Sequence, residues 1–192
     1  EFGELFKDDT TQQKISESMK KKKEISGIIF ENDLNALLPT DYISNETERF
    51  NIYKRLYNSL SESDLQEIRN ELSDRFGKIP QETENLFNVV KLKLLTGELG
   101  LEKIVLNELQ LSLYFPKDKE HRIFKSGFFE NLIDTISKSK AGTYNIANAR
   151  TQLIIEVKLN INTDEENVKY DEERLKKSEE LITELIFAKH QT

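Results

Sequence analysis

Apolar residues are almost absent from the first part of the chain. From Lys7 to Glu24 the sequence reads KDDTTQQKISESMKKKKE, and only Ile15 and Met19, four residues apart, are clearly apolar. Such a stretch predicts a linker or a solvated helix. The texture changes at ISGIIFEND, where Ile28, Ile29 and Phe30 predict a short strand, and at LNALLPTDYIS, where Pro39 imposes an extended or turning chain. Asn45 followed by Glu48 has the spacing of a capping box, and Phe50, Tyr53, Leu56, Tyr57 and Leu60 then recur at helical intervals. On that periodicity the first helix buries this stripe, aromatic rings included.

Ser61 or Ser63 can cap a second helix, whose apolar positions Leu65, Ile68, Leu72 and Phe76 run to a stop at Gly77. Pro80 stands where a third helix starts, Leu86, Phe87, Val90, Leu94 and Leu95 continue it, and Gly100 ends it. Beyond Gly100 the period shifts from helical to alternating. In KIVLNELQLSLYF, Leu109, Leu111, Leu113 and Phe115 share one parity, which predicts strands or a hairpin near Asn107. FFENLIDTISKS returns to helical spacing, LIIEVKLNI alternates again through Ile155, Val157 and Leu159, and a final helix carries Leu175, Leu181, Leu185 and Ile186. The predicted class is α+β: a three-helix N-terminal part, then a small, mainly antiparallel sheet with an inserted helix and a C-terminal helix. Residues 1–26 are expected to form a polar connector and 27–192 a single domain.

Composition narrows the function. The chain has 192 residues and a formal net charge of −7, so its summed field repels a phosphate backbone unless the bases are segregated. The run Lys20 to Lys23, with the lysines at 54, 91 and 93, is the only candidate for such segregation; four lysines flanked by Glu17 and Glu24 fit a solvated face better. There is no cysteine, which removes disulfides and thiolate metal sites and agrees with the cytoplasm. No apolar run approaches the ~20 residues that span a bilayer, so no membrane partner is expected. The chain opens at Glu1 rather than Met, which suits a piece of a longer parent.

Candidate chemistry is sparse. The seven glycines form no phosphate-binding pattern, and His121 and His190 lie far apart in sequence, so no nucleotide, metal or other cofactor is expected in this fragment. No GxSxG elbow is present. Carboxylates are abundant, as in any acidic chain, and a pair such as Glu71 and Asp74 does not by itself indicate acid–base catalysis.

The stretch ELSDRFGKIP carries more information. Leu72 and Phe76, four apart, face inward and leave Glu71, Asp74 and Arg75 as a polar group around the last helical turn, with Glu71 and Arg75 spaced to pair. Spacing alone favours a solvated helix end, where an exposed ion pair contributes little. The alternative is a docking surface, in which carboxylates beside an arginine fork recognise a complementary charge pair on another domain.

Resemblance bears on that choice. The stretches LLPTDYISNETERFNIYKRLYN, DLQEIRNELSDRFGKIPQETENLF and LKLLTGELGLEKI resemble the C-terminal domain of bacterial transcription-repair coupling factors over residues 27 to 106. The match rests on Pro39 to Ile43 with Tyr42, on Arg49 and Tyr53 with Lys54-Arg55 following, and on Glu71-Leu72, Asp74-Arg75-Phe76-Gly77 and Pro80. The resemblance implies a regulatory domain for 27–192 and a connector from a motor for 1–26. The family's whole protein is an ATP-driven DNA translocase, using ATP and Mg in its motor, that removes stalled RNA polymerase and recruits nucleotide excision repair. None of its motor motifs occur here. In the family this domain folds back on an N-terminal UvrB-like module and covers the surface that binds UvrA. Glu71, Asp74 and Arg75 match the polar positions at that lock. Leu72, Phe76, Gly77 and Pro80 shape the helix end, Pro39 is a further motif-shaping position, and Tyr42, Arg49 and Tyr53 are expected to pack or pair internally.

Overall fold

The structure, a computed structural model, describes residues 27–125, 127–149, 152–161 and 167–190. Strand β1 (Ile29–Asn32) leads through a loop to three helices, α1 (Glu46–Asn58), α2 (Glu62–Phe76) and α3 (Gln81–Leu99). A hairpin of β2 (Lys103–Asn107) and β3 (Gln110–Tyr114) follows, then the short α4 (Arg122–Lys125) and α5 (Phe128–Lys138). The chain closes with β4 (Gly142–Ala149), β5 (Gln152–Leu159) and α6 (Asn167–His190). The five strands form one sheet in the order β1-β2-β3-β5-β4, in which only the β1–β2 pair is parallel. The α+β class and the mainly antiparallel sheet read from the sequence are those observed.

Local signals set the element ends. The Asn45 side chain accepts a hydrogen bond from the Glu48 N–H at 2.9 Å, but the Glu48 carboxylate does not return to close a capping box; it turns to α2. The full box forms at α2, between Ser61 and Asp64. Gly77 ends α2 with φ 83° and ψ −151°, and Gly100 ends α3 with φ 84° and ψ 30°. Only Gly adopts the first of these backbone conformations readily. Pro80 precedes α3, and its carbonyl accepts the N–H groups of Thr83 and Glu84. The two-residue hairpin turn at Glu108 and Leu109 places Glu108 at φ 46°, which suits the primed turn geometry of tight hairpins.

Two apolar cores result. The first gathers Leu38, Ile43, Ile52, Leu56, Leu65, Ile68, Leu72 and Phe87 beneath the three helices. The second lies between one face of the sheet (Ile104, Leu106, Leu111, Leu113, Ile155, Val157) and helices α3, α5 and α6. Helix α3 belongs to both, giving Phe87 to the first and Leu92 and Leu99 to the second.

The burial pattern of α1 differs from its periodicity. Ile52 and Leu56 are the buried residues, whereas Phe50 is 66%, Tyr57 60% and Tyr53 38% exposed. A stripe at Phe50, Tyr53 and Tyr57 lies on one side of the Ile52–Leu56 axis, and the shorter aliphatic pair points at the core. The reading of Phe50 and Tyr53 as core aromatics is therefore corrected; Phe87 is buried and Phe76 half-buried. Strand β4 was not anticipated. Its sequence, GTYNIANA, lacks the sustained apolar alternation of β5.

Candidate docking site

The sequence singles out the last turn of α2, and the loop between β1 and α1 is what holds it. Inside that loop the Pro39 carbonyl accepts the Ile43 N–H at 3.1 Å. The Arg49 guanidinium donates to the carbonyls of Ile43 at 2.6 Å and Ser44 at 3.0 Å, and the Tyr53 hydroxyl accepts the Leu38 N–H at 2.8 Å. Tyr42 then reaches across to α2. Its hydroxyl stands 3.1 Å from the Leu72 carbonyl and 3.3 Å from that of Gly77, positioned to donate to either, and its ring meets Phe76 edge-on at 5.8 Å. Burial raises the Tyr42 hydroxyl above its ordinary pKa, with the Glu84 charge acting the same way, so it remains a donor at neutral pH. Pro39, Tyr42, Arg49 and Tyr53 are thus engaged in internal hydrogen bonding and packing around the helix end.

Under the turn, Leu72 is fully buried and Phe76 packs at the rim of the first core. Above it Arg75 lies over the Phe76 ring, 4.9 Å from its centre, a cation–π contact that limits where the guanidinium can point. A ribbon of alternating charge then crosses from α1 to α2: Arg55 pairs with Glu71 at 2.7 Å, Glu71 with Arg75 at 2.8 Å, and Arg75 with Glu48. Hydrogen bonds from Arg55, then from Arg75, hold the Glu71 carboxyl below the usual range. Donating to Glu71 and Glu48 pushes the Arg75 guanidinium up. The two arginines are about half open to solvent and the two glutamates about a third.

Asp74 stands apart. It is exposed and, among the described residues, has no side-chain partner. The structure therefore divides the three residues proposed for docking: Glu71 and Arg75 are members of an internal ribbon, and Asp74 is a free acceptor beside it. Glu48 and Arg55 were missed as members. They lie seven apart on one side of α1, but the Glu48 spacing from Asn45 points to a cap, and nothing in a linear pattern brings Arg55 to Glu71.

Other candidates come out differently. Lys91 is committed to Glu62 at 3.0 Å and Glu179 at 2.8 Å, and the Lys93 ammonium sits 4.4 Å from the centre of the Tyr57 ring. Of the lysines at 54, 91 and 93, only Lys54 is exposed, so these do not form a basic patch. Lys20 to Lys23 lie outside the described residues, as does the whole connector 1–26. His121 accepts the Ile123 N–H on Nδ1 at 3.3 Å. Among the described residues no three acidic or histidine side chains gather as a metal site, and no helix is long and apolar enough to cross a membrane.

The sequence model of the TRCF domain family matches residues 32–126, a span that includes the whole ribbon and the turn from Glu71 to Pro80. Among curated relatives, the transcription-repair-coupling factor of Buchnera aphidicola is 34% identical over 93 residues, 48% of this chain and 11% of the relative. That of Escherichia coli is 37% identical over 73 residues, 38% of this chain and 6% of the relative. The chain thus corresponds to a small part of these proteins. A crystal structure of the C-terminal domain of transcription-repair coupling factor superposes with a TM-score of 0.63 at 18% identity, covering 85% of this chain and 96% of that one, so the same fold is present in both.

Proposed function

We propose, on the match of residues 32–126 to the TRCF domain family, that the chain is the regulatory C-terminal domain of a bacterial transcription-repair coupling factor. In this reading the domain performs no chemistry of its own. It docks on the UvrB-like module of the same protein, masks the surface that binds UvrA, and restrains a motor that uses ATP and Mg to act on DNA and RNA polymerase in the cytoplasm. The observation that carries the reading is the end of α2: the ribbon Arg55–Glu71–Arg75–Glu48 is fixed by three ion pairs at the surface, with the Asp74 carboxylate, unpaired among the described residues, alongside. Fixing these side chains before contact lowers the conformational entropy lost on docking, and alternating charge gives orientation more than raw affinity. Asp74 is the natural acceptor for an arginine of the module, because it need not first give up an internal partner.

The test is addition of this chain in trans to a coupling factor lacking its C-terminal domain. Suppression of ATPase activity or of UvrA capture is expected. Asp74→Ala should weaken suppression about tenfold, the loss of roughly one charge-assisted hydrogen bond, without lowering the melting temperature. Unchanged ATPase activity and UvrA capture at saturating chain would refute the reading.

A further inference from the structure

The sheet has two edges, and they differ. Strand β1 is four residues long and carries the Glu31–Lys103 ion pair. Strand β4 is eight residues long, holds no charged residue from Ala141 to Ala149, and among the described residues pairs on one side only. Its register with β5 runs unbroken from Gly142 opposite Leu159 to Ala149 opposite Gln152, so no bulge twists the edge away. A long, uncharged, regular edge is a template for another strand.

The phase of the ladder fixes which groups are free. The Asn160 N–H donates to the Ala141 carbonyl at 2.8 Å, whereas the Leu159 N–H turns the other way, to the Leu109 carbonyl at 2.7 Å. Hydrogen bonds to β5 therefore fall at Thr143, Asn145 and Ala147, and the N–H and C=O groups of Gly142, Tyr144, Ile146 and Asn148 point outward. Tyr144 and Ile146 stand opposite Val157 and Ile155, which puts their side chains on the core face of the sheet. They are nevertheless 38% and 44% exposed, because the helix layer does not extend fully over this edge. Free backbone and uncovered apolar side chains thus belong to the same two residues.

The strand is complementary to itself. Set antiparallel to a second β4 with Tyr144 opposite Ile146, it pairs Gly142 with Asn148 as well, and every outward group finds a partner. Two aromatic–β-branched pairs then lie side by side on the core face. Sliding by two residues would set Tyr144 on Tyr144, or Ile146 on Ile146, and lose an end pair. Charge points to the same place: at a net −7 two copies repel, and an uncharged strand is where they meet at least cost. We propose that β4 pairs with β4 of a second copy in an isologous antiparallel contact, Tyr144 against Ile146, joining two five-stranded sheets into one. The ribbon on α1 and α2 takes no part in it. One such ladder lies below the roughly 1,200 Å² of standard interfaces, so the dimer is weak, with a Kd of about 10–100 µM.

Sedimentation velocity of the 192-residue protein from about 5 to 500 µM should show monomer passing to dimer, at lower concentration in high salt, which screens the net charge. Ile146→Lys should raise the Kd at least about tenfold with circular dichroism unchanged. The cysteine-free chain also lets the register be tested without that variant. Asn145 meets its own copy across the two-fold axis at a non-hydrogen-bonded position, where Cα atoms stand about 4.5 Å apart, within disulfide reach. Thr143, equally exposed on the same face, lies about 13 Å from its copy. Under mild oxidation Asn145→Cys should form disulfide-linked dimers at least about tenfold faster than Thr143→Cys. A monomer at every concentration would overturn the proposal, as would assemblies larger than a dimer, which an isologous contact cannot build. Equal crosslinking of the two cysteine variants would overturn it too.

Discussion

Gly77 and Gly100 share nearly the same φ, 83° and 84°, yet differ in ψ, −151° against 30°, and that difference makes a quantitative prediction. At Gly100 the backbone is left-handed helical, a region that L-residues enter at a cost of about 1 kcal/mol and that Asn tolerates better. At Gly77 it lies in the region that is almost exclusive to Gly, where a Cβ costs of order 1–3 kcal/mol. Crowding does not confound the comparison. A Cβ on Gly77 meets nothing within 4 Å, and one on Gly100 meets only His121 Cε1 at 3.4 Å, an ordinary contact. Gly77→Ala should therefore destabilise by about 2–3 kcal/mol, and Gly100→Ala by about 1 kcal/mol. At about 2–4 °C per kcal/mol for a domain of this size, the melting temperature should fall by roughly 4–12 °C in the first case and 2–4 °C in the second. Gly100→Asn should restore most of its loss and Gly77→Asn should not. Thermal melts followed by circular dichroism decide it. A Gly77→Ala protein melting with the parent, or above Gly100→Ala, would refute the argument from ψ.

Three further outcomes follow from packing and charge. Arg174 is 3% exposed and pairs with Asp33 and Asp171; Arg174→Ala should cost about 3 kcal/mol, and a denaturant midpoint unchanged from the parent would count against a role in anchoring α6. Phe50→Ser and Tyr57→Ser should each change stability by less than about 0.5 kcal/mol, whereas Leu56→Ala should cost about 2–5 kcal/mol; equal effects at these positions would show the α1 rings to be buried after all. For pH, the Arg55 and Arg75 contacts lower the Glu71 carboxyl; at Asp33 burial pushes the carboxyl up, but the Arg174 bond and charge together with the Glu108 N–H outweigh it, so it too is lowered. A carboxyl lowered on folding contributes stability above its unfolded pKa of about 4, and that contribution fades as pH falls through the folded value. The melting temperature should decline below about pH 5, and Glu71→Gln should make the decline shallower; an identical pH profile for the variant would contradict this.

Much of the fold was legible because local chemistry agreed with tertiary structure. Asn45, Ser61, Gly77, Pro80 and Gly100 set the helix ends where the sequence places them. The period-two run before Pro116 became the β2–β3 hairpin. What escaped depended on contacts between distant residues. A stripe of three rings on α1 satisfies helical periodicity as well as Ile52 and Leu56 do, and only the position of α2 and α3 decides which face is buried. Strand β4 is held by its ladder to β5, a property of the partner rather than of GTYNIANA itself. The ribbon was half visible. The Glu71–Arg75 spacing is readable along one helix, but the links to Arg55 and Glu48 exist only because α1 and α2 pack together.

The β3–β5 ladder bears on how this domain can be cut. The family match ends at residue 126, yet Leu111 and Leu113 pair with Val157 and Ile155 on β5 and share a core with Leu181 and Leu185 of α6. A recombinant fragment trimmed to the matched residues would leave one edge of β3 unpaired and uncover fully buried leucines, a combination that favours inclusion bodies over folded product. Recognisable ancestry and the autonomous folding unit end in different places here, and expression boundaries belong beyond α6.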